Sequence, residues 1–476
     1  MRVYVFFLFE VFFLLVVFSC NLKKVEPSEN FVSASFSLFN ADCKAPCQIY
    51  FTNTSTGAVS YEWDFGDGSP IDTQIHPIHT FQMPGEYWVE LKVFGERGVD
   101  SNIQLVNVQF IMFEKIFGGS KSEEVRSVKQ TSDGGYIIAG TTESFGAGDK
   151  NVYLIKVNGL GEVMWEKNFG GENSDYGYSV QETSDGGFII AGNKYSNVSE
   201  RDVYLIKANN LGEVMWEETF GGGNINRGES VQETFNGGYI IAGNTYSYGS
   251  GNSDVYLIKT NGSGGVEWVK TFGGVNDDMG KALQKTSDGG YIIVGYTSSY
   301  GFGSSDVYLI KTNSSGGVEW EKTFGGSGAE YGYSVQQTSD GGYIIVGYTS
   351  SYGFGGGDVY LIKTNSSGIV EWEKTFGGSG AEYGYSVQQT FDGGFILTGS
   401  TSSYGVGQDD IFLIKTNSSG GVEWEKTFGG PHTDRGYSVQ QTSDSGYVIV
   451  GTQAQNDVAV WADIILLKTD GEGNVE

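Results

Sequence analysis

The sequence predicts an all-β chain, most of it a seven-bladed β-propeller built from four-stranded blades. Three observations carry that expectation. A W-x-K-T-F-G-G run, an S-V-Q-Q-T-S-D-G-G-Y-I-I-V-G run and a D-V-Y-L-I-K run recur at a spacing of 51 to 53 residues. No stretch sustains a helical period. The end of the array is one strand short, and the start carries one strand too many. A repeat of this length and content is the signature of propeller blades, each of which buries both faces against its neighbours.

The fifth repeat shows how the strands are read. Tyr333 to Gln337 forms the first, and Thr338-Ser339-Asp340-Gly341 supplies an Asp-Gly turn of the kind a two-residue hairpin prefers. Gly342 to Thr349 forms the second; its unbroken Tyr343-Ile344-Ile345-Val346 run suits a strand covered on both faces. A Gly/Ser/aromatic loop leads to the third strand, Asp358 to Thr364. The Asn365-Ser366-Ser367-Gly368 turn leads to the fourth, Val370 to Phe376. The tryptophans of the fourth strands stand at Trp165, Trp216, Trp268, Trp320, Trp372 and Trp424. The lysines of the third strands stand at Lys156, Lys207, Lys259, Lys311, Lys363, Lys415 and Lys468.

Ile111 to Gly119 aligns with Val163 to Gly171, so a lone fourth strand precedes the first full repeat, while the last repeat stops at Val475-Glu476 before its own. The early strand is therefore expected to complete the last blade in a Velcro-type closure, with the propeller spanning residues 110–476.

The opening segment, Met1-Arg2 followed by an apolar stretch to Ser19, has the layout of a signal peptide, expected over residues 1–19. Val17-Phe18-Ser19-Cys20 resembles a bacterial lipobox, although Phe18 is bulky and Glu10 interrupts the apolar run. That resemblance implies lipidation at Cys20, a tether over residues 20–29, and anchoring to the cell envelope at the outer membrane or cell surface. Cys43 and Cys47, the remaining cysteines, are either bridged or free thiols, with a disulfide favoured in an exported chain.

Between residues 30 and 109 three motifs stand together: Tyr61-Glu62-Trp63-Asp64-Phe65-Gly66-Asp67-Gly68-Ser69, Pro77-Ile78-His79-Thr80-Phe81, and Gly85-Glu86-Tyr87-Trp88-Val89-Glu90-Leu91-Lys92-Val93. They resemble the PKD domain, an Ig-like β-sandwich. The resemblance implies a spacer or interaction module and a structural place for His79. Two histidines, His76 and His79, without nearby cysteines fall short of a zinc set. The propeller part is similar to tandem repeats of exported bacterial and archaeal proteins.

With 57 acidic and 29 basic residues, the formal charge is -28, which argues against nucleic acid as a partner. No nucleotide-binding loop or catalytic triad motif appears. The longer loops, second-to-third and fourth-to-first, share one end of the propeller, so that end is the candidate binding face. Two rings are expected there. Glu123, Asp175, Asp278, Glu330, Glu382 and Asp434, with Asn226 at the seventh place, follow the Phe of each F-G-G by six residues. They are read as lying near the mouth of the central channel, where they either hold a cation such as calcium or accept hydrogen bonds from the loop backbone. Apart from calcium no cofactor is expected. The aromatic ring is Phe145, Tyr248, Tyr300, Tyr352 and Tyr404, with Trp461 in the last copy; it would stack on sugars or grip a protein. The function this implies is an anchored, monomeric scaffold that recognises a protein or glycan. A polysaccharide-active enzyme stands second and a structural envelope component third.

Overall fold

A computed structural model describes residues 31–195, 201–455 and 461–475. The segments read as signal peptide, lipobox and tether, Cys20 included, lie outside the described residues. The chain divides into two compact units. One is built from Gln48–Thr80, Glu86–Asn107 and the residues before Cys43; the other holds everything from Val108 onward together with Cys43–Cys47 and Phe81–Gly85.

The smaller region is a β-sandwich. Phe36–Phe39, Cys47–Asn53 and Ile78–Phe81 form a three-stranded sheet, and Asp42–Lys44, Gly98–Gln109, Gly85–Gly95 and Ser60–Asp64 a four-stranded one. Alternation along the strands turns Trp63, Phe51, Val89 and Leu91 inward, all essentially buried. Trp63 meets Phe36 edge-on at 5.0 Å and donates its indole N–H to the Gln74 carbonyl at 2.9 Å, which satisfies its one polar atom. Cys43 and Cys47 are joined as a disulfide with 5.7 Å between their Cα atoms. His79 stacks on Phe65 at 3.9 Å and pairs with Asp67 at 2.7 Å, while His76 accepts a hydrogen bond from the Asn53 amide.

Among the described residues the repeats form seven four-stranded antiparallel sheets, propeller-like in strand order. In the fifth repeat the strands are Glu330–Gln337, Tyr343–Thr349, Asp358–Thr364 and Val370–Phe376. The second and third are buried nearly throughout, and the fourth is the solvated outer edge. The last sheet takes its fourth strand from Phe113–Phe117, which pairs with Ala462–Thr469 from Ile464 opposite Phe117 to Lys468 opposite Phe113.

One turn differs from expectation. A two-residue Asp-Gly hairpin would hold both central residues at positive φ, yet in Thr338–Gly341 only Gly341 is left-handed, at +85°. The Gly341 amide returns to the Thr338 carbonyl at 2.9 Å, and the Asp340 carboxylate accepts from the Gly342 amide at 2.9 Å. The turn is thus an ordinary one followed by a glycine bulge, and Asp340 is its brace. In the last copy Ser445 takes the glycine's place and adopts φ +67° without its freedom.

The repeated lysines have the same origin. Lys363 is buried within its sheet, and its Nζ reaches Asp340 at 2.9 Å, Glu371 at 2.8 Å and the Thr364 carbonyl at 3.0 Å. A buried ammonium needs such partners. Equivalent Asp contacts hold Lys156, Lys207, Lys311, Lys415 and Lys468; Lys259, whose repeat has Asn236 in place of the aspartate, uses Glu267 at 3.1 Å instead.

Neighbouring sheets are joined by polar and aromatic contacts that recur with the repeat. The first glutamine of S-V-Q-Q accepts from a backbone amide of the next sheet's first strand: Gln181 from Glu233 at 2.7 Å, Gln232 from Lys285 at 2.8 Å, Gln388 from Gln441 at 2.6 Å. The last sheet meets the first in the same way, Gln440 accepting from the Gln130 amide at 2.8 Å and Ser438 from the Val128 amide at 3.3 Å. Each tryptophan covers an aromatic of the following sheet, as Trp320 does Tyr343 at 5.8 Å. Phe113 does the same for Tyr136 at 6.3 Å.

The glycine of I-I-V-G has a steric cause. A bulge between Gly332 and Ser334 presses the Tyr331 carbonyl against Gly347, where an added Cβ would lie 1.8 Å from that oxygen. Gly347→Ala is therefore expected to destabilise the protein by about 1–3 kcal/mol. The check is a lower urea midpoint at unchanged slope; an unaltered midpoint would remove this account of the glycine.

Candidate functional site

Where both are described, the two longer loops of a sheet share one end and are laced to each other. The Glu330 amide donates to the Ser305 carbonyl at 2.8 Å, and the Ser350 amide to Ala329 at 2.9 Å.

The acidic set does not open onto the channel. Glu123, Asp175, Asp278, Glu330, Glu382 and Asp434 are all at most 2% exposed, as is Asn226. Each carboxylate accepts from the second glycine of its own F-G-G, for example Gly326 to Glu330 at 2.8 Å and Gly274 to Asp278 at 2.7 Å. Glu330 also accepts from the Thr349 hydroxyl at 2.9 Å. These side chains staple the loops. Among the described residues no group of three or more Asp, Glu, His or Cys side chains converges as a metal site.

Each staple has a partner that sequence reasoning missed: the residue opening D-V-Y-L-I-K, an aspartate in every copy but the first, where it is Asn151. An added Cβ on Gly325 would lie 2.2 Å from Asp306 Oδ1 and 2.5 Å from Glu330 Oε2, so two acids flank a glycine that must lack a side chain. Burial, and then the neighbouring Glu330, push the Asp306 carboxyl up to about 6; burial and Asp434 do the same to Asp410. In two sheets an amide stands for one acid, Asn151 beside Asp175 and Asn226 beside Asp202. The spacing of these residues was visible in the sequence, but their convergence across a glycine was not.

The aromatic set is half-exposed at the rim of the loop end, from 37% for Phe145 to 53% for Tyr404, with Trp461 at 47%. Its tyrosines are braces as well as surface. Tyr248, Tyr300, Tyr352 and Tyr404 each donate their hydroxyl to the first glycine carbonyl of an F-G-G, at 2.8, 2.9, 2.9 and 3.2 Å. Their rings lean on the next strand, Tyr300 on Tyr308 at 5.9 Å. Their alanine variants would lose a loop anchor.

The more exposed groups are their neighbours. Phe302 and Phe354 are 81% and 83% exposed, and Val406 is 68% exposed. They sit on three successive sheets between glycines of positive φ: Gly301 and Gly303, Gly353 and Gly355, Gly405 and Gly407. The signal was a bulky apolar residue in an otherwise Gly/Ser loop.

A central cavity of about 380 Å³ is lined by the first strand of every sheet. The side chains there stand three residues beyond the acidic set: Arg126, Tyr178, Glu229, Lys281, Tyr333, Tyr385 and Tyr437. The bulge at each strand start turns this position inward.

Residues 34–110 match the PKD domain family, which agrees with the sandwich. Over 41 residues the chain is 54% identical to Polycystin-1 of Homo sapiens; the match covers 8% of this chain and spans about 1% of that protein's length. Among solved structures it is similar to the WD40 domain of Neurospora crassa Pan2, at TM-score 0.45 and 10% identity over 74% of this chain and 92% of that one. It is also similar to YCF48 bound to D1 peptide, at 0.44 and 10% over 76% and 96%. Sqt1 from Chaetomium thermophilum gives 0.42 and 10% over 71% and 83%.

Proposed function

We propose that the chain is an exported, lipid-anchored scaffold whose seven sheets are the blades of a closed β-propeller, and that it recognises a protein at the loop-rich end. Closure is supported by the pairing of Phe113–Phe117 with the last sheet and by the Gln440 and Ser438 contacts to the first. Export and anchoring rest on the Val17–Cys20 segment and the company of a PKD domain.

The observation that carries recognition is the arc of Phe302, Phe354 and Val406. Apolar side chains left mostly exposed are unfavourable in water, and these stand on loops held by backbone bonds such as Ser304 to Gly328 at 2.9 Å and Gly356 to Gly380 at 2.7 Å. Rigid apolar knobs suit an apolar groove on a protein, because little ordering entropy is lost on docking. A polysaccharide-active enzyme is less favoured, since the recurring acids Glu123, Asp175, Asp278, Glu330, Glu382 and Asp434 are occupied in stapling loops.

The test is crosslinking of the envelope-resident protein, wild type against Phe302→Ser/Phe354→Ser/Val406→Ser. A partner bound by wild type and lost by the triple variant at unchanged melting temperature is expected. Equal crosslinking of both, or a glycan-array signal abolished by the same variant, sinks the protein reading. Cys20→Ser should release the chain from the envelope fraction, and retention there defeats the anchor.

A further inference from the structure

We infer that the loop-side mouth of the central cavity binds a small anion carried on a ring, a single sugar acid, with its carboxylate among Arg126, Arg227 and Lys281 and its ring against Tyr333, Tyr385 and Tyr437. This goes beyond the apolar arc, which lies on the outer loops.

The first ground is charge. In a chain of formal charge -28, Arg126, Arg227 and Lys281 line one cavity of about 260 Å³, with Lys129 in the wider cavity that continues from it. Among the described residues one carboxylate lines this cavity with the four cations, Glu229, which pairs with Lys281 at 3.0 Å, and Glu124 is a second acid acting on Arg126. Other basic groups nearby are matched: Lys150 holds Glu124 at 2.7 Å, and Arg435 holds Asp409 at 2.7 Å. Among the described residues no ion pair holds Arg126, Lys129 or Arg227, and the Arg227 Nε is buried without a partner. The lumen surrounds these groups with protein while leaving them reachable by solvent. Burial lowers the Lys129 pKa, as expected for a cation with no counter-charge.

The second ground is the opposite wall. Tyr333, Tyr385 and Tyr437 run as a continuous aromatic strip, with centroids 5.4 and 5.2 Å apart, and Arg126 lies over Tyr437 at 4.5 Å. Burial pushes the Tyr385 hydroxyl up to about 12, so it stays protonated and able to donate. An aromatic strip facing guanidinium groups is matched by a ligand with an apolar ring face and an anionic edge.

The third ground is a departure from the repeat. Six repeats carry glutamine at the place of Lys129, and those glutamines accept an amide of the next sheet, which a lysine cannot do. The substitution forgoes that bond and places a charge in the lumen.

Calorimetry on the full mature chain with galacturonate, galactose and inorganic phosphate tests this. Galacturonate is expected to bind, more weakly as salt rises, and galactose is not. Arg126→Gln/Arg227→Gln should weaken galacturonate at least about tenfold. Lys129→Gln restores the repeat residue, so it should fold as well as wild type and still weaken binding a few-fold. Tyr385→Leu should weaken galacturonate but not phosphate. No galacturonate binding, or binding indifferent to both salt and Lys129→Gln, overturns the site. Phosphate binding as tight as galacturonate, with Tyr385→Leu silent, overturns the ring half.

Discussion

Deletion of residues 110–117 is expected to lower the melting temperature sharply and drive the protein into aggregates. The segment supplies the fourth strand of the last sheet, so its loss bares the backbone edge of Ala462–Thr469. It also removes Phe113 and Phe117 from a cluster with Tyr136, Val448, Val450, Ile464 and Leu466, the apolar seam between the last sheet and the first. Emptying either phenylalanine site alone costs about 3–5 kcal/mol, a large share of the stability of a typical domain. Phe113→Ala separates the two effects, because it keeps the strand and its hydrogen bonds. It should lower stability without exposing an edge, and so without rapid aggregation. A deletion variant that melts like wild type and stays monomeric would show that the seam holds without the early strand.

The second large effect is a stability optimum in mildly acidic solution. The turn aspartates Asp133, Asp185, Asp288, Asp340 and Asp392 are lowered to about 2; burial opposes this, but the turn hydrogen bonds and the buried lysines outweigh it. A depressed carboxyl stabilises the fold above its unfolded pKa near 4, and that contribution disappears as pH falls toward 2. Asp306 and Asp410 have the opposite sign. Raised to about 6, they bind a proton more readily folded than unfolded, so the fold loses stability as pH rises from about 4 through 6. Both side chains are buried, and a rise of this size corresponds to at most roughly 3 kcal/mol for each. Their partners in other sheets, Asp254, Asp358 and Asp463, move the same way. Melting temperature should therefore peak at about pH 4–5 and fall on both sides. Asp306→Asn should raise it at neutral pH and leave the acid limb alone. A maximum at pH 7 or above would contradict the paired-acid account.

The repeats and their strands were legible because period-driven burial is a local property. Asp358–Thr364 ends where the residue pattern placed it, since a strand covered on both faces is largely apolar; the exposed Val370–Phe376 was bounded instead by the turn before it and the F-G-G after it. The early duplicate of the fourth strand was legible because Ile111 to Gly119 repeats the residue pattern of Val163 to Gly171. The turn was legible in position but not in type, because whether Asp340 goes left-handed depends on the lysine and amide that hold its carboxylate.

The site was the least legible part. Sequence spacing by itself determined which residues recur once per sheet, hence the acidic and aromatic sets and their common end. Only the tertiary structure decided which way those side chains face. A one-residue bulge after Gly332 reverses inside and outside along the first strand, burying Glu330 and turning Tyr333 into the lumen. Residues of seven strands line one cavity only once the sheets have packed against one another. That is why Arg126, Arg227 and Lys281, inconspicuous and far apart in the chain, become neighbours of a single cavity.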